Sequence, residues 1–265
     1  MFAPPCQTCG SARASRNPRY RGGGPPPLER KPFCLERRSI DPGDSRHTAP
    51  SEVEELLGRL RRDFIGHFEE IEPEAGTRSL RLFDVWRQVS LRRIVDLAEG
   101  AEAFFREGRL VPGCTLTRSV VETVALHYTV WKKLTAHTET ADFRGAHTLL
   151  MSVVFGRRDK GDDWPSTSVN VLTAIDHLDK KFPGFRSEYD RLSEYLHPGL
   201  AGGYGIYVRT EGEGLRSHFG QNPSGLEMGP WGRGELERAL LVAATFNDLL
   251  KEMRPRLVSM MKHDG

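Results

Sequence analysis

Arg191, Glu194 and His197 recur every three residues in the stretch 189–199, YDRLSEYLHPG. On a helix they form a slanted row with a carboxylate between two bases. A titratable imidazole near a guanidinium suits chemistry on an RNA backbone. The imidazole moves a proton to or from the ribose hydroxyl, and the guanidinium holds charge developing on the phosphate. The same spacing also reads as a C-cap histidine beside an ordinary surface ion pair.

Arg118 and Glu122 lie four apart among Leu116, Val120, Val121, Val124, Ala125 and Leu126. A charged pair on so apolar a helix faces a partner or a cleft, or else forms an internal salt bridge between helices. Glu122 is also a candidate partner for Arg191. Arg209, Arg216 and His218 could extend a basic surface beside His197, or be ordinary polar residues of strands. His127 and His147 sit on largely apolar helices and read as core histidines. Cys114 reads as a helix-start residue without the surroundings of a nucleophile. Arg157, Arg158 and Lys160 alternate with aspartates, which predicts a nearly neutral solvated loop.

The elements that must position these groups are helices. Ser51 and Glu54 form a capping-box signature, and apolar residues then follow at helical spacing to about residue 71. Further helices are predicted over 79–106, 115–136, 142–155, 168–182, 185–197 and 234–261. Pro112-Gly113 and Pro183-Gly184 act as separators, Ser168 as an N-cap, and Pro255 as a kink or stop. Between the last two helices, alternation from Tyr204 to Arg209 and from Leu215 to Phe219 predicts a β-hairpin over about 203–220, lying on the helices. The expected fold is mostly all-α, a single domain over 51–265 of about seven helices with one hairpin insertion.

The Arg-x5-His spacing near a helix end resembles the motif of the HEPN superfamily. The block from Arg118 to Thr123, the Leu192-Ser193-Glu194-x-x-His197-Pro198 signature and the Gly/Tyr-rich hairpin resemble an uncharacterised bacterial branch of it. The resemblance covers about 80–225 and implies a HEPN-like helical bundle. Many members are metal-independent ribonucleases of toxin–antitoxin or phage-defence systems, and others are non-catalytic binding modules. It further implies a homodimer with a composite site, an RNA substrate and possible pairing with an antitoxin. Arg191 would hold the phosphate and His197 would be the acid/base group. The sequence departs from the superfamily at Leu192, where a polar residue is usual. Two functions are therefore expected: RNA binding or cleavage, and a catalytically silent interaction module whose Arg/Glu/His row is structural.

Composition narrows the classes. Of 265 residues, 38 are Lys or Arg and 36 are Asp or Glu, for a net charge of +2. Residues 1–50 carry a net +5, 9 of the 17 prolines and 3 of the 4 cysteines. That predicts a disordered basic tail, able to touch nucleic acid non-specifically. Cys6 and Cys9 are spaced like a zinc pair, but Cys34 and His47 do not make a second one, so no metal or cofactor is expected. The longest apolar stretch, 239–246, is far short of the ~20 residues of a membrane span. The first fifty residues lack a signal-peptide pattern, which predicts a cytoplasmic protein.

Overall fold

The structure, a computed structural model, describes residues 51–67, 77–156, 169–212, 216–220 and 228–262. The tail with its cysteines, the run around Arg157 and Ser168 lie outside them. Among the described residues the chain is all-α with one two-stranded antiparallel hairpin. The helices are α1 (Glu52–Arg61), α2 (Thr77–Arg106), α3 (Leu110–Glu139), α4 (Phe143–Phe155), α5 (Val171–Lys181) and α6 (Phe185–Leu196). A π turn (Leu200–Tyr204), a one-turn helix α7 (Gly205–Tyr207), strands β1 (Val208–Glu211) and β2 (Arg216–Phe219), and α8 (Gly229–Lys262) complete the order. No described helix is long and apolar enough to cross a membrane.

Local chemistry sets most boundaries. Ser51 Oγ accepts from the Glu54 amide at 3.3 Å, and Glu54 accepts from the Ser51 amide at 3.0 Å, completing the capping box. Helix α1 ends at Arg61, ten residues before the expected stop. Asp142 and Asn170 cap α4 and α5 through the Gly145 and Thr173 amides, so Asn170 takes the place expected for Ser168. Two prolines do not break helices as expected. Helix α3 starts at Leu110 and runs through Pro112, because a proline in the first turn gives up an amide that has no intrahelical acceptor. Helix α8 starts five residues early, at Gly229, and continues past Pro255; neighbouring packing holds it on both sides, since Met253 and Leu257 are 1% and 0% exposed.

Helix α3 is the axis of the bundle and packs against α2, α4, α5, α6 and α8. Its fully buried Val120, Val124 and Ala125 share one apolar cluster with Leu192 of α6, Leu178 of α5 and Leu240 of α8, and Val130 lies in a second with Leu150 of α4 and Leu250 of α8. Each buried leucine contributes about 1.5–3 kcal/mol. A polar seam runs through this packing between α2 and α8. Arg87, 6% exposed, donates to Asn247 Oδ1 at 3.1 Å. Asp84 accepts from Arg254 Nε at 3.1 Å, and Asp63, just past α1, joins Asn247 and Lys251.

The hairpin differs most from expectation. Residues 203–207, predicted to begin it, are helical: they end the π turn and form α7. Alternation in a Gly-rich segment does not distinguish a strand from tight helical turns, and Ile206, 7% exposed, pins this one to the core. The strands pair Val208 with Phe219 and Glu211 with Arg216. All but the half-buried Val208 are exposed, so the ladder stands off the helices instead of lying on them.

Candidate functional site

Helix α6 is aimed by its neighbours. Its N-cap Gly184 sits at φ +101°, and Asp179 of α5 accepts from the amides of Gly184 (2.9 Å) and Arg186 (3.0 Å). That carboxylate replaces the missing side-chain cap. The buried stripe Phe185, Tyr189 and Leu192 faces α3. At the far end, His197 adopts the extended backbone that a following proline favours, and the helix stops.

Arg118 and Glu122 meet α6 at Tyr189. Arg118 Nη2 donates to the phenol oxygen at 2.6 Å, and the phenol donates to Glu122 Oε1 at 2.9 Å. The Arg118 guanidinium also lies 4.8 Å from the Tyr189 ring centre, and its Nε is 3.4 Å from Glu122. Burial holds the Tyr189 phenol above its ordinary pKa, so it stays a donor to Glu122. The trio is a clamp between α3 and α6, and Glu122 holds Tyr189 rather than Arg191.

The row on α6 does not close into a triad. Arg191 turns away to lie 4.1 Å from the Trp231 ring centre on α8, with Glu188 at 3.9 Å. Trp231 Nε1 donates to Glu188 at 3.0 Å, and its ring leans on Tyr195. Burial, then the Glu188 charge, pushes the Glu235 carboxyl up beside this group. Glu194 and His197 are exposed, and their side chains have no hydrogen bond or ion pair among the described residues. His197 sits beside the π turn, where the backbone of Gly202 packs on the carbonyls of Tyr195 and His197.

On the hairpin, Arg209 and His218 face each other across the ladder, and both pair with Glu211, the latter at 3.3 Å. Arg216 stands opposite Glu211 in the register. Glu211 thus offsets part of the expected basic face. The π turn, α7 and the hairpin also expose Leu200, Tyr204, Tyr207 and Phe219, at 80, 49, 45 and 85%.

No family model, curated protein or solved structure matches this chain. The site therefore rests on its own geometry. Trp231 and Glu188, which hold Arg191, escaped the sequence reading; Trp231 lies in a Gly/Pro-rich stretch read as a break. Cys114 is fully buried, and burial pushes its thiol up to about 12, so it is inert as a nucleophile. His147 bonds Ser79 at 2.7 Å, and His127 is fully buried against Ser90 at 2.7 Å. No group of three or more His, Cys, Asp or Glu suited to a metal occurs among the described residues. Cavities between α1 and α8, and among α3, α4 and α5, are lined by other residues.

Proposed function

We propose that this chain is a HEPN-like protein that binds single-stranded RNA, and cleaves it without a metal, at the end of α6 and the adjoining hairpin. The observation that carries this reading is the exposed His197 imidazole, without a hydrogen bond or ion pair among the described residues, at the end of α6 on which the π turn packs, followed along the chain by the exposed rings of Tyr204, Tyr207 and Phe219. Exposed aromatic faces stack unpaired bases at ~1–3 kcal/mol each, and nearby Arg209 and Arg216 draw in phosphates. Stacking on Trp231 fixes the Arg191 guanidinium in one plane, suited to a phosphate. In the cleavage step, O2′ attacks phosphorus as His197 takes its proton. The P–O5′ bond breaks, the 5′-oxygen takes up a proton from water, and a 2′,3′-cyclic phosphate remains. A homodimer would bring two such surfaces together.

One observation favours a silent interaction module instead. Leu200 is aliphatic and 80% exposed, and an apolar residue so placed suits a protein partner such as an antitoxin. Incubating the chain with unstructured RNA oligonucleotides separates the two. Wild type is expected to bind and cleave in the presence of a chelator. His197→Ala is expected to remove cleavage while leaving thermal stability within about 0.5 kcal/mol, as for a surface substitution. Arg191→Ala is expected to weaken both binding and cleavage. If wild type neither binds nor cuts any RNA offered, the interaction-module reading takes its place. Light scattering over micromolar concentrations tests the dimer.

A further inference from the structure

We propose that the cavity among α3, α4 and α5 binds a phosphate group, free or carried by a small organic ester. The proposal does not depend on the RNA reading, since this cavity lies on the second half of α3. From Glu122 of the Tyr189 clamp to Lys133 is about 16 Å along the helix axis.

Three helices turn polar stripes toward this space of about 600 Å³. Helix α3 contributes Thr129, Lys133 and His137, at four-residue spacing. Helix α4 adds Thr148 and Ser152, and α5 adds Thr173 and His177. Helices of a bundle ordinarily turn apolar residues toward one another. Here the Lys133 ammonium, the Thr148 and Thr173 hydroxyls and the His177 imidazole line one space, a composition suited to binding an oxyanion, while Ser152 donates to the Leu149 carbonyl and His137 meets Asp142. The N-terminus of α5 opens on the same space through Val169 and Asn170, with the positive end of its dipole.

Thr129 lies beneath this lining: it is 3% exposed, and its hydroxyl, closed off from solvent, has no hydrogen-bond partner among the described residues. Charge points the same way. Burial first, then Lys132, Lys180 and Lys133, hold the His177 imidazole below its ordinary value, with Asp176 opposing. The nearby carboxylates are engaged. Asp142 caps α4 at Gly145 and faces His137 at 2.9 Å, and Asp176 pairs with Arg186 at 2.7 Å. The lysines are left to set a positive field, which favours a dianion. The volume falls within the range of small-ligand sites, with room for an organic part.

Calorimetry on the full chain tests this with inorganic phosphate, adenosine 5′-monophosphate, glucose 6-phosphate and, as a control, adenosine. At least one phosphate-bearing probe is expected to bind and adenosine is not. Tighter binding of an ester identifies the organic part, whereas equal binding of all three identifies free phosphate as the ligand. Lys133→Ala, at an exposed position, is expected to weaken binding at least tenfold, and His197→Ala to leave it unchanged. Thr173→Val, also at an exposed position, is expected to weaken phosphate binding several-fold. Absence of binding by all three phosphate probes at millimolar concentration overturns the proposal. So does binding that Lys133→Ala leaves intact.

Discussion

Replacing Gly202 with alanine is expected to unwind the π turn after α6 and to abolish the RNA binding proposed for the surface built from it. A Cβ at this position would lie 2.2 Å from the carbonyl oxygen of Tyr195 and 2.4 Å from that of His197. Both obstacles are backbone, so no side chain can swing aside to relieve them. Overpacking of this kind costs about 3 kcal/mol, and the cheapest relief is for the turn to open. Opening would release Ile206 from the core and free the hairpin that follows it. Amide hydrogen exchange reads this directly: protection over 208–219 should fall while the core of α8 keeps its own. Unchanged protection in the hairpin would show that the turn absorbs the methyl, and RNA binding should then survive too.

His127 predicts the second large effect, a loss of stability in acid. The imidazole is fully buried, edge-on to Trp86, and burial, with the Arg87 charge adding to it, lowers its pKa to about 3. The Ser90 hydroxyl hydrogen goes to the Trp86 carbonyl at 2.7 Å, so Nε2 is the donor to Ser90. Nδ1 then lacks a partner among the described residues. An unfolded imidazole takes its proton near 6.5, the folded one only near 3. Across that window the unfolded state binds more protons, so stability falls as pH falls through it. Between pH 7 and pH 4 the loss from this group is about 3 kcal/mol. Urea melts at both pH values on wild type and His127→Leu isolate it, because Ser90 keeps its bond to Trp86 in the variant. Burial raises the Asp84 pKa, which gives a dependence of opposite sign, but that is common to both proteins and cancels in the difference. The variant is expected to lose about 3 kcal/mol less on acidification; an equal loss in both would mean that water reaches the imidazole.

Wherever local chemistry sufficed, the sequence was readable. The Ser51/Glu54 box, the apolar side of α2, the start of α4 near Asp142 and the stop at His197 each depend on neighbours within a turn. What was missed depends on partners far along the chain. Pro112 looked like a break because its place in the first turn is visible only once the helix start is known. The residues from Tyr204 to Tyr207 alternate like a strand, and only burial of Ile206 reveals them as helical. Arg191 reads naturally as a partner of Glu194 or His197, whereas its guanidinium lies on Trp231, forty residues later and on another helix. The polar stripe of Thr129, Lys133 and His137 carries a sequence signal, four-residue spacing along one side of α3. That signal gains meaning only when α4 and α5 turn matching residues toward it.

The polar seam between α2 and α8 bears on how the chain finds one arrangement among near-equivalents. Two long apolar helices can slide by a turn, about 5.4 Å, and still lay leucine against leucine. The seam discriminates against such slips. Moving α8 by four residues in one direction sets Arg87 against Ala243 and Asp84 against Leu250. The opposite slip brings Arg87 to Lys251 and Asp84 to Val258. Either way buried charges lose their partners, at a cost of several kcal/mol each, although the apolar contact area barely changes. Tolerance to substitution along α8 should therefore run opposite to residue size: exchanging Leu250 for methionine keeps the alignment, while exchanging the smaller Asn247 for leucine removes a mark by which the two helices find their register.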